Sequence, residues 1–192
     1  AGNLCVHFSS MKRIAYLSRE VRALFDELEE ASRDLFSLVD VRCPATCHEC
    51  CLNPAVQATV LEFVPLACRL MDEGRAEEVL GQLEGSAELK GCVFAGIAGC
   101  SVYPDRGLIC RLFAASVRKD RQDRLEYIAC SLLHARHGRY LPGQTPAPVI
   151  TDWGLRLEAI DPAMGCAWYP VNEAIRRALE IVLHTNHLDR AG

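Results

Sequence analysis

The chain has no apolar run approaching the ~18 to 20 residues that span a bilayer, and it does not begin with a basic segment leading into an apolar stretch. A membrane span is therefore excluded by composition, and the expected location is the cytoplasm. Charge of one sign is also missing. Twenty-one Lys and Arg are interspersed with 25 Asp and Glu for a formal charge of −4, so no basic stripe exists to track nucleic acid or an anionic membrane. Internal repeats, low-complexity tracts and recognisable linkers are absent too. With 192 residues and 50% hydrophobic content, a single domain over residues 1–192 is expected.

Cysteine is abundant by contrast. Eleven in 192 residues is still below the ~8 to 10% that marks a small disulfide scaffold, and an odd total leaves one unpaired. Disulfides stay open as an alternative, but the arrangement is that of ligands. Cys43, Cys47, Cys50 and Cys51 fall within nine residues of a polar, proline-containing segment that has no apolar period, so there is no core in which to bury them as small hydrophobes. Thiolates two or three residues apart converge on one soft or borderline cation. The adjacent pair Cys50–Cys51 points in diverging directions, which favours a site holding or bridging more than one metal.

Around this cluster the apolar periodicity is helical. From Met11 to Val39, Ile14, Leu17, Val21, Leu24, Leu28, Ala31, Leu35 and Leu38 alternate steps of three and four. That seam predicts a long helix packed in a bundle or, less simply, in a coiled-coil dimer, ended by Pro44. A second helix is expected from Asn53-Pro54 through Val56, Val60, Phe63, Val64, Ala67, Leu70 and Met71, with Pro65 kinking or dividing it. A short helix over 76–83, closed by Gly85, should follow. Short apolar pieces between glycines predict a tight hairpin through about Tyr103 and a helix from Gly107. Residues 119–137 read as an amphipathic helix through Leu125, Ile128, Ala129, Leu132 and Leu133. Residues 141–170 read as a long irregular connection with one short strand at 149–150, and a last helix is expected over 171–183. The predicted fold is mainly α, with about five or six helices around a cysteine-rich irregular centre.

Cys92, Cys100 and Cys110 are too widely spaced for a local knuckle, so as ligands they must fold back onto the first cluster. A metal would stabilise that closure, since distant ligands close loops of high entropy. Cys68 and Cys130 lie on or beside apolar helical faces and Cys5 near a free end, which leaves Cys166, beside Gly165 in a loop, as the eighth candidate. His134 and His137 lack a third ligand or an acid at metalloprotease spacing and read as surface or capping residues. Arg106 and Arg111 are placed to offset accumulated thiolate charge.

These blocks resemble the CxxCxxCC (YkgJ-type) cysteine-cluster family. The first block corresponds to Cys43, Cys47, Cys50 and Cys51, the second to Cys92 with Phe94, the third to Cys100 with Tyr103, and the fourth to Cys110-Arg111-Leu112-Phe113, over roughly 40–115. Two departures stand out: three residues rather than two in the first gap, and Gly107 where the family usually has proline. The resemblance implies chelation of zinc or iron, in a structural or metal-handling role that includes transfer to a protein partner, without implying a defined reaction. Two alternatives stay open. One is an iron–sulfur redox protein. The other is an enzyme at an open metal position, for which His48, Glu49, Asp105 and Arg106 stand near the thiols but no acid–base arrangement or catalytic residue is recognisable. Oligomeric state is not encoded in any feature of the chain.

Overall fold

The computed structural model describes residues 10–39, 47–85, 91–113, 115–129, 131–141 and 145–191. The fold is mainly α-helical. Helix α1, Met11–Val39, is its longest element, and the three-and-four seam explains why. Ile14, Leu17, Val21, Leu24 and Leu28 are all buried, with Phe25 joining them. They face α2 (Val64–Asp72), α6 (Ile150–Ile160) and α8 (Val171–Ala191). One turn further on, Ser32 returns its hydroxyl to the Leu28 carbonyl and Leu35 enters a second, smaller cluster with Val117, Leu125, Tyr127, Leu133 and Leu141. The far end of α1 is tied to the end of α8, where the Met11 amide donates to the Asp189 carboxylate at 2.6 Å.

Polar side chains fasten this framework. Asp105, 6% exposed, takes Arg22 of α1 and Arg69 of α2, each at 3.0 Å. Asp161 caps α7 (Pro162–Gly165) by accepting from the Met164 amide and also pairs with Arg13 at 2.6 Å.

The segment after the first cysteines departs from the expected helix. Asn53 folds its side chain onto the Ala55 amide at 3.0 Å in a turn, and Gln57–Thr59 form strand β1, which pairs antiparallel with β6, Trp168–Pro170. Only after a 3-10 turn at Leu61–Phe63 does α2 begin, with Pro65 in its first turn, where a missing amide costs nothing. Helix α3, Ala76–Gly85, agrees with expectation, as does the hairpin of β2 (Ala95–Gly96) and β3 (Gly99–Cys100) and the helix α4, Leu108–Leu112, that starts after Gly107.

Residues 119–137 are not one helix. Ser116–Lys119 (β4) and Leu125–Ile128 (β5) form an antiparallel hairpin, and only Ser131–His137 (α5) is helical. The turn is chemical in origin: Asp120 accepts the amides of Gln122 and Arg124, both at 2.9 Å, and Asp123 takes a positive φ of 59°. His134 donates to the Tyr127 carbonyl, a local structural role. Residues 141–170 are likewise more ordered than expected, with α6, α7 and β6 in place of a loop, and Val149 forms only an isolated bridge to Val117. Helix α8 continues well past residue 183.

Candidate metal centre

Three chain segments carry the thiols to one place. A 3-10 turn at Glu49–Leu52 presents Cys50 and Cys51 and is closed by the Cys51 amide donating to the His48 carbonyl at 2.8 Å. The Cys92 segment lies against it. The Cys92 amide donates to the Cys51 carbonyl at 2.7 Å, and Gly91 has φ 115° with its Cα so close that an added Cβ would sit 2.6 Å from that same oxygen. Only glycine allows this approach. The β2–β3 hairpin then turns the chain back to Cys100, and α4 supplies Cys110.

Cys47, Cys50, Cys51, Cys92, Cys100 and Cys110 all line a single cavity of about 1130 Å³. The remaining wall is largely apolar, with Leu28 and Phe36 of α1 and Phe63, Phe94 and Val102 among its side chains. The eight cysteines of the described residues are all free thiols. Cys68 stands apart as expected, packed against the main core. Cys166 caps the end of α7, is exposed, and does not line the cavity. Cys43, Cys5 and Cys130 lie outside the described residues.

The electrostatics are those of crowded donors. Cys51 donates within the adjacent pair, which lets Cys50 ionise far more readily than an ordinary thiol and pushes Cys51 strongly upward. Burial raises Cys92 to about 11, with the charges of Cys100 and Cys50 adding to it. Cys100 is raised mainly by burial and Cys110 strongly so, with Glu62 as the next contributor for Cys110. Arg106, stacked over Tyr103 at 3.9 Å, works the other way on Cys50 and Cys100. Arg111 is committed elsewhere: it pairs with Glu29, donates to the Arg106 carbonyl at 3.0 Å and lies over the Phe25 ring.

This donor set fits a soft or borderline cation, because thiolates that repel one another in a half-buried cavity are stabilised together when positive charge stands among them. Among the described residues, no three Cys, His, Asp or Glu side chains are already arranged to hold an ion. The thiols therefore share a cavity without forming a finished coordination shell.

Two residues that sequence reasoning missed hold the thiol segments. Glu62, fully buried, accepts the Thr59 amide at 2.8 Å and the Ile109 amide at 2.9 Å, so it ties β1 to the first turn of α4 beside Cys110. Asn172, at the start of α8, bonds the backbone on both sides of Cys92. Thr59-x-x-Glu62 has the spacing of a capping box, a signal that could have marked Glu62 as a local cap, but its bond to Ile109, 47 residues away, and those of Asn172, about 80 residues away, leave no sequence signal.

No curated protein and no solved structure matches the chain. Residues 42–131 match the model of a family described as "CxxCxxCC: Putative zinc- or iron-chelating domain", and this interval contains every thiol that lines the cavity. The cysteine-bearing stretch, 90 of the 192 residues, is thus the part of the chain that resembles the CxxCxxCC domain.

Proposed function

We propose that this protein binds zinc or iron through clustered thiolates, in a structural or metal-handling role. The observation that carries the reading is the gathering of six cysteines, from residues 47 to 110, on one cavity. Cys47, Cys50, Cys51, Cys92, Cys100 and Cys110 hold the ion or ions, joined by Cys43 from the same cysteine block, with Cys166 as an outlying eighth candidate. Bound metal supplies the positive charge that offsets thiolate repulsion and closes the loops between these segments. Because Cys92 is raised to about 11, and Cys51, Cys100 and Cys110 are raised as well, loading releases protons and strengthens as pH rises. A reducing compartment suits such a set of free thiols.

Elemental analysis of anaerobically purified protein, with thiols counted per metal, tests the reading. Cys47→Ser or Cys110→Ser should lower metal content and stability together, while Cys68→Ser should leave metal content unchanged. Full occupancy in the first two variants would overturn it. An iron–sulfur centre would instead show strong visible absorbance and acid-labile sulfide.

A further inference from the structure

Cys92 is held more firmly than its place in a loop requires. The peptide preceding it is bonded at both edges: the Gly91 carbonyl accepts from the Asn172 side-chain amide at 2.8 Å, and the Cys92 amide donates to Cys51 at 2.7 Å. The peptide following it is also bonded at both edges. The Cys92 carbonyl accepts from the Ala95 amide at 2.9 Å, and the Val93 amide donates to Asn172 Oδ1 at 2.9 Å. Two of these four bonds come from one side chain. Its orientation is not arbitrary, since a flipped amide would set its NH₂ against the Val93 N–H and its oxygen against the Gly91 carbonyl.

With both flanking peptides fixed, the φ and ψ of Cys92 are fixed, and so is the direction of its Cα–Cβ bond. The platform behind Asn172 is rigid. Helix α8 buries Ala174, Ile175, Ala178, Leu179 and Val182 in the main core immediately beyond it. Asn172 itself lines the thiol cavity yet lies outside residues 42–131.

We infer that Asn172 is a positioning residue for the metal centre: from α8 it clamps the backbone on either side of Cys92 and aims that thiol into the cavity. The C-terminal helix is thereby part of the site. This rests on the chelation reading for its consequence on metal, though not for the clamp itself.

The test is a double-mutant cycle on the full-length chain, titrated anaerobically with Co²⁺ against a competing chelator, with thiolate-to-cobalt charge-transfer absorbance recorded per bound ion. Asn172→Ala should weaken cobalt binding by about 10- to 100-fold, the usual cost of losing an outer-shell partner, and reduce the charge-transfer band. In a Cys92→Ser background the same substitution should change neither further. Asn172→Asp, which keeps the acceptor for Val93 but sets a carboxylate oxygen against the Gly91 carbonyl, should weaken cobalt binding at least as much as alanine, and as an acid at the start of α8 it guards against misfolding of the alanine variant. Wild-type cobalt spectra in Asn172→Ala, or losses that simply add in the double variant, would overturn the inference. A second readout needs no metal: in the metal-free chain Asn172→Ala should speed amide exchange at Val93 while leaving buried α8 amides unchanged. If the wild-type chain takes up no cobalt, chelation fails as a function and Val93 exchange alone decides the clamp.

Discussion

Glu62 shows how a single buried carboxylate sets a local design. Burial raises its pKa to about 7, opposed by the amides of Thr59 and Ile109 that its oxygens accept. Gly107 makes room for it, since a Cβ there would stand 2.9 Å from Glu62 Oε2 and equally close to the Phe63 ring. Any side chain at 107, a proline included, would fill that space. The fold favours the protonated acid over the ordinary value of 4.5. Its contribution to stability is therefore complete below about pH 4.5 and is lost as pH rises through 7, on the order of 3 kcal/mol in total. Glu62→Gln cannot ionise. Denaturation in the presence of a chelator at pH 5 and pH 8 should show the wild type losing about 2 to 3 kcal/mol more than the variant across that interval. Equal losses would mean that the two amides hold the carboxylate ionised throughout.

At the level of elements, α1 joins both hydrophobic clusters, and its seam was the most legible feature of the sequence. Leu17, Leu24 and Leu28 are buried as the periodicity demands. Leu24→Ala should cost about 2 to 5 kcal/mol in chemical denaturation, and a loss under half a kcal/mol would place that seam in solvent. Elsewhere periodicity misled. Leu125, Ile128 and Leu132 are spaced like a helical face, but Leu125 and Ile128 lie on a strand, and the stronger message was Asp120 and Asp123, which build the turn. Residues 150–160 were obscured by the prolines on either side. Trp153 and Leu157 at a spacing of four, followed by Asp161-Pro162 as cap and first residue of α7, are helix signals within the segment read as an irregular connection. The thiols were legible because chemistry rather than packing dictates their spacing. What holds them was not, because the bonds that Glu62 makes to Ile109 and Asn172 makes to Gly91 and Val93 reach distant backbone and leave no periodic trace.

For the whole molecule, metal and fold should be linked. The first two thiol segments are separated in the chain by β1, α2 and α3, and an ion that binds only the folded chain adds about 2.7 kcal/mol at a free concentration 100 times its Kd. In a chain of this size that is an increase in Tm of roughly 5 to 10 °C, seen by comparing loaded and chelator-treated protein in a thermal scan. Cys110→Ser should erase most of the difference. No helix of the described residues is long and apolar enough to cross a membrane. The contact between Met11 and Asp189 also has a practical side. It brings the start of α1 beside the end of α8, while the cavity is lined by α1 residues from Leu28 to Ser37. At 1.5 Å per residue, Met11 and Ser32 are about 30 Å apart along the helix. A surface tether or fluorophore attached at Met11 or Asp189 would therefore stand clear of the thiols, leaving the cavity end of the molecule presented to solution.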